Sequence, residues 1–306
     1  MEFERPQIVR PPSEWASYFL PLTRGCSNTT CTFCAWHGSR LRVRKLEEVK
    51  AEIDALAVLV RHGIYSSAVG GLTQYWDGKK FFLQDADALV YPYPKLVEIL
   101  QHLKEKFPGF ERVACYATPR DILRRTRDEL KMLRNLGLGI FYTGLESGSD
   151  SVLQRVRKRV NSSEMIEAGR KAREAGIQLS VSLILGLAGA AASEEHAIQT
   201  ARVLSAIDPE YAAALTITLV PGTPLHQEWS EGNFQPPTPF QSLEELKTLV
   251  EQLDLTNCFF SSAHAVNYLN IRGRLPQDKA RLVRELDAVL DKRDPALLRP
   301  EFLRRL

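Results

Sequence analysis

The sequence predicts an α/β fold, a partial (β/α)6 TIM-type barrel with a C-terminal mixed extension. Two observations carry the barrel: short apolar, β-branched runs alternate with longer segments of helical period, and six such units follow one another up to about residue 225. That alternation is the pattern of repeated βα units and a parallel sheet. The third observation is a change of texture after Val220, where Pro221, Pro224, Pro236, Pro237 and Pro239 crowd together. We therefore read residues 1–225 as the barrel core and 226–306 as an extension, a possible lid over its open side.

The first strand is expected at residues 18–22. The helix after it places Leu46, Val49, Ile53, Leu56 and Val60 at intervals of three and four, one face for packing on the sheet. The second unit is a strand at 80–83 and a helix at 94–106, the third a strand at 112–117 and a helix at 128–136. Between the first two units, residues 63–79 form a long loop. Gly70 and Gly71 read as a turn there, and Tyr75 and Trp76 as packing or substrate-facing aromatics. The fourth strand, at 140–143, is followed by a helix whose start carries capping-box spacing at Asn161 and Glu164, with Gly176 as its stop. The fifth unit is a strand at 179–185 and a helix at 193–207, and the sixth strand covers 213–219. In the extension we expect a helix at 243–253, an apolar run at 258–260 and a charged helix after Pro276.

Composition narrows the class. Apolar residues make up 44% and charged residues 25% of the chain, with 40 basic against 37 acidic side chains and a net charge of +3. That is an ordinary globular mixture, and no polyanion partner is demanded. Arg155, Arg157, Lys158 and Arg159 read as a solvated basic face. No apolar run reaches the roughly 18 residues of a membrane span, and the N-terminus has charges and prolines where a signal peptide is apolar. A cytoplasmic protein is expected. Of five cysteines, three fall within nine residues, which points to a metal or redox site rather than a disulfide framework.

Those three, Cys26, Cys31 and Cys34, stand in LTRGCSNTTCTFCAWHG with C-x4-C-x2-C spacing, at the carboxyl end of the first strand, where barrel enzymes keep their active sites. Three thiolates on a four-iron cluster leave one iron open to a small molecule. With His37 the same residues could instead hold a structural zinc.

Here the sequence resembles the radical S-adenosylmethionine (SAM) superfamily, and within it a coproporphyrinogen oxidase-like branch with the same C-x4-C-x2-C loop and an aromatic, here Phe33, between its last two cysteines. The similarity runs from about Tyr18 to Leu225. It implies a 4Fe–4S cluster on Cys26, Cys31 and Cys34, and SAM as the second cofactor. FFLQDADALV stands where the superfamily exposes carbonyls to the SAM ammonium, which assigns Asp85, Ala86 and Asp87. GLESGSD implies that Glu146 and Ser147 face the ribose and methionine groups; read by itself, Glu146 could instead pair structurally with a basic neighbour, and Ser149 could cap the next helix. SLILGLAGA resembles the element against which adenine lies, with Gly186 and Gly189 permitting close approach; Ala188 and Ala190 replace a proline and a glutamate frequent in relatives. LVPGTPL is a further fold marker.

The resemblance implies reductive cleavage of SAM to methionine and a 5′-deoxyadenosyl radical, hydrogen abstraction from a small-molecule substrate, and a flavodoxin- or ferredoxin-type electron donor. In the tail, His264, Asn267 and Tyr268 are candidates for substrate contact, and Cys115 and Cys258 for quenching radicals or for plain packing. The rival functions are an RNA-modifying radical SAM transferase and a zinc-stapled binding protein. Against the first stand the modest charge, the missing second cysteine triad and the missing Asp-x-His-x-x-Gly motif.

Overall fold

Parallel neighbours require a crossover between them, and the helical segments supply one for each barrel strand. The computed structural model describes residues 3–8, 10–69 and 73–304. Its principal strands are β1 (Tyr18–Pro21), β2 (Lys80–Gln84), β3 (Arg112–Tyr116), β4 (Leu138–Glu146), β5 (Gln178–Leu185), β6 (Tyr211–Thr216), β7 (Cys258–Ser261) and β8 (Arg272–Leu275), adjacent in that order. The pairs β1–β2, β2–β3, β3–β4, β5–β6 and β6–β7 are parallel, and only the β7–β8 pair is recorded as antiparallel. The expected α/β series of six barrel strands is present and open, with β1 at one end of the order and β8 at the other.

The chain packs as two compact units. The first contains the described parts of Met1–Thr29, Gly38–Tyr142 and Lys171–Gln178; the second contains those of Thr30–His37, Thr143–Arg170 and Leu179–Leu306.

In the first unit, Phe19, Phe82, Ala114, Ile140 and Tyr142 from successive strands form a buried cluster. Helix α1 (Leu46–His62) buries Val49, Ile53 and Leu56 and stops at Gly63, φ 68°. Val60, expected on the same face, is 57% exposed, because the last turn runs out beside Arg61 and His62. Helix α2 is Tyr93–Lys106. Trp76 is a packing residue: its Nε1 donates to the Lys80 carbonyl and its ring meets Tyr18 and Phe107 edge-on. Tyr75 is exposed, and Gly70 and Gly71 lie outside the described residues. Two carboxylates are fully buried hubs. Glu52 accepts from Tyr18 Oη at 2.6 Å, Arg44 at 2.6 Å and Arg5 at 2.5 Å. Glu14 accepts from Ser17 at 2.6 Å, Tyr142 at 2.6 Å and Arg112 at 2.5 Å.

Short helices α3 (Pro119–Arg124) and α4 (Arg127–Asn135) follow β3, the second begun by a Thr126–Glu129 capping box. Pro119 at the start of α3 ends β3 at Tyr116.

In the second unit an unforeseen helix, α5 (Asp150–Arg155), follows β4. Ser149 is its N-cap residue, yet its side chain makes no cap bond and lies 3.0 Å from Ser151 Oγ, correcting the expectation that it caps the helix. Helix α6 (Ser162–Glu174) has the expected reciprocal bonds between Asn161 and Glu164. Helix α7 (Ser193–Ile207) leads to β6, which begins and ends two to three residues before the expected span. After β6 come α8 (Pro224–Ser230), α9 (Pro239–Gln252), packed along α7, and α10 (Lys279–Lys292). The proline-rich tail thus completes this unit's sheet and helical layer. Among the described residues no helix is long and apolar enough to cross a membrane.

Candidate functional site

Cys26 falls in the first unit, and Cys31 and Cys34 in the second. In the first, Thr23–Arg24 pairs antiparallel with Arg42–Val43, closing the stem of the loop. Gly25, at φ 90°, donates its N–H to Asp85 Oδ2 at 3.0 Å, and Asp85 N–H donates to Thr23 Oγ1 at 3.0 Å. The residue before Cys26 is therefore tied to the segment after β2. Ser27 donates to Asp121 Oδ2 at 2.8 Å, and Asn28 N–H lies 3.4 Å from Cys26 Sγ.

Asp85 and Asp87 are buried and Ala86 half-buried. Burial, and then the neighbouring Asp121, push the Asp87 carboxyl well above the usual range. Asp121, despite its own desolvation, is held below that range by bonds from Asp87, Thr118 and Ser27. The pair is thus one neutral and one charged carboxyl. Beside it Cys115 is sealed in β3, its thiol pushed well up by burial and by Asp87. Gln84, at the end of β2, is fully buried with neither side-chain amide atom partnered among the described residues.

In the second unit, the backbone carries the cysteine turn. Cys34 N–H donates to Cys31 O at 3.3 Å, Thr32 N–H to Val156 O at 3.0 Å, and Leu225 N–H to Thr32 O at 2.9 Å. Helix α5 and the turn before α8 therefore hold this part of the loop from both sides, and Phe33 packs against the cluster of Val156, Leu187 and Leu225. Burial pushes the Cys31 thiol up, with Lys158 opposing, and pushes Cys34 to about 11. Both are neutral thiols at pH 7, so binding a soft cation there releases protons. His37 Nδ1 is 3.1 Å from the Cys31 carbonyl.

Glu146 ends β4 in the left-handed region, φ 60°, a conformation costing a non-glycine residue about 1 kcal/mol or more. Its Oε1 accepts from Lys158 Nζ at 2.8 Å, with both side chains only 12–13% exposed. A methyl group at Gly144 would stand 1.8 Å from that oxygen, and one at Gly148 would stand 2.3 Å from the Gln199 carbonyl. Gly148 is thus required for close backbone packing, and Gly144 leaves room for the Glu146 carboxylate where it stands. Ser147 is buried, its Oγ accepting from Ser149 N–H at 3.0 Å. Lys158, read from sequence as part of a solvated basic face, is instead this carboxylate's partner. Arg155 donates to the Leu187 carbonyl at 2.5 Å and lies over the Phe234 ring.

Gly186 and Gly189 have φ 81° and 84°. A Cβ on Gly186 would sit 2.8 Å from Pro237, and one on Gly189 would sit 3.3 Å from the Gln235 carbonyl. The close approach these glycines permit on the Cβ side is made by the tail of the protein. Asn267 is internal too: its amide joins Thr216 N–H, Ala214 O and Ser262 O within 2.7–2.8 Å. Tyr268 lies under the Arg304 guanidinium, 4.0 Å from the ring centroid, with its hydroxyl bonded to Glu301 and burial pushing it up to about 12. His264 is half-buried, accepts from Val266 N–H at 3.3 Å, and is held below the usual imidazole range by burial and Arg299.

The donor chemistry fits the cofactors implied by the motifs: soft thiols on one loop and, at the end of β2, an orphaned buried amide.

Comparison with known proteins agrees. The family model for the radical SAM superfamily matches residues 20–201. A tRNA-2-methylthio-N(6)-dimethylallyladenosine synthase from Aromatoleum aromaticum is 27% identical over 222 residues, 70% of this chain and 47% of that protein. A heme chaperone from Bacillus subtilis is 22% identical over 162 residues, 52% of this chain and 41% of that protein. The chain therefore spans less than half the length of either relative. In fold it is similar to coproporphyrinogen III oxidase from Escherichia coli, with TM-score 0.54 and 17% identity, covering 77% of this chain and 51% of that one.

Proposed function

We propose, on the premise that this chain belongs to the radical SAM superfamily and is an enzyme using a 4Fe–4S cluster and SAM, that Cys26, Cys31 and Cys34 hold that cluster. A buried thiol, Cys31, and a half-buried one, Cys34, both on a backbone-fixed turn of a C-x4-C-x2-C loop, are the observation that carries this reading. When bound, the cluster and SAM supply reductive cleavage of a carbon–sulfur bond to methionine and a 5′-deoxyadenosyl radical. The chain's own part is to bind, orient and exclude water. Asp85, Ala86 and Asp87 offer backbone and side-chain oxygens to the SAM ammonium. Glu146, balanced by Lys158, and Ser147 face the ribose and methionine groups, and the Gly186–Gly189 turn backs the adenine. His264, Tyr268 and Cys115 are the candidates for substrate-linked roles, with 226–306 as the extension nearest the substrate.

A reductant and a substrate are required. We read the reductant as a flavodoxin or ferredoxin-type protein, the substrate as a small molecule and the setting as cytoplasmic, where free thiols persist. The motifs and the fold likeness favour the coproporphyrinogen oxidase-like branch. The second reading, an RNA-modifying transferase, is favoured by the similarity to the tRNA methylthiolation enzyme. Incubating reduced enzyme separately with tRNA and with metabolite extract, then reading both by mass spectrometry, separates them.

The SAM placement has its own test. Glu146→Ala should weaken SAM binding about tenfold in calorimetry, roughly 1.4 kcal/mol, and leave iron content intact. Unchanged affinity would remove Glu146 from the SAM site.

A further inference from the structure

The buried carboxylate of Glu245 lies 59 residues along the chain from the Gly186 turn, yet both its oxygens face that turn. Gly186 N–H stands 3.0 and 3.1 Å from the two oxygens, Ser193 Oγ donates to one, and His196 Nδ1 is 2.8 Å from the other. Glu245 is 2% and His196 2% exposed. The remaining ring nitrogen of His196 is buried without a partner among the described residues, so Glu245 is what holds the ring. Three groups from the end of β5 and the start of α7 thus converge on a carboxylate of α9. A charged acceptor makes each such bond stronger than a neutral one, and burial raises the cost of leaving any donor unmet. The same tail supplies Pro237 behind Gly186, and the Gln235 carbonyl accepts Ala190 N–H at 2.8 Å. The turn therefore has little conformational freedom of its own.

We infer that Glu245 is a positioning residue for SAM: through Gly186, Ser193 and His196 it fixes the backbone turn against which the adenosyl moiety rests. This rests on the placement of SAM given under Proposed function. The residue touches neither cofactor nor substrate, and its effect is on how well the turn is pre-organised.

The test is Glu245→Gln, which keeps the volume and one acceptor oxygen but turns an amide donor toward donors. In the reconstituted holoenzyme, uncoupled SAM cleavage by dithionite should show KM for SAM raised about tenfold with kcat within twofold of wild type. Affinity for S-adenosylhomocysteine should fall in parallel. At saturating SAM the EPR signal of the reduced cluster should match that of wild type, and iron content and thermal transition should be retained. Unchanged KM, or a fall in kcat alone, overturns the inference. So does loss of the thermal transition or of iron, since Glu245 would then be structural. Glu146→Ala measured alongside separates the two levels. If Glu146→Ala weakens SAM and Glu245→Gln does not, the inference fails alone; if neither does, the placement of SAM fails with it.

Discussion

Cys31→Ala, reconstituted anaerobically with iron and sulfide, should hold well under one iron per chain against about four of each for the wild type. Its 5′-deoxyadenosine formation should fall to background, at least about 1,000-fold. Cys31 is 6% exposed and sits in a turn whose geometry is set by backbone bonds to Val156 and Leu225. Removing one sulfur leaves that scaffold in place, so the protein should still unfold cooperatively near the wild-type temperature. Two thiols cannot replace three. Iron and sulfide analysis checks this, and a variant that retains stoichiometric iron and sulfide would displace Cys31 from the ligand set.

The second large effect is on stability. Glu52→Ala removes the acceptor of Tyr18, Arg5 and Arg44 from a site where its side chain is 0% exposed. It leaves Arg44, itself 13% exposed in its side chain, without its principal counter-charge. Breaking a buried ion pair from one side costs about 3–5 kcal/mol, against a total stability of about 5–15 kcal/mol. A fall of about 10 °C in thermal midpoint follows for a chain of this size. Glu52→Gln, which still accepts one bond, should fall between. Denaturant and thermal unfolding of the apoprotein check it, and a loss below about 1 kcal/mol would show that the arginines find other partners.

What was legible in the sequence was local. The Asn161–Glu164 cap and the helical period of α7 each lie within one element, and each stands where expected. Helices α3 and α5 escaped because six residues hold less than two turns, too few for an apolar period to show. A basic partner for Glu146 was open from sequence, but Lys158 was not named as it, because a lysine in a basic run looks solvated until the left-handed turn at Glu146 brings a carboxylate to it. The tail's contact with the glycines was out of reach for a similar reason. Gly186 reads as open space for a ligand, but Pro237 of the tail, fifty-one residues on, fills one side of it. No periodicity records a contact made only after the chain has folded back.

The central claim is that this chain cleaves SAM by a radical route. The most direct measurement is chromatography of products after anaerobically reconstituted protein is incubated with SAM and dithionite, without added substrate. The account predicts 5′-deoxyadenosine and methionine in equal amounts, formed slowly, dependent on dithionite and absent from Cys31→Ala. SAM recovered intact by protein that carries its full complement of iron and sulfide, or cleavage that proceeds equally without reductant, would contradict it.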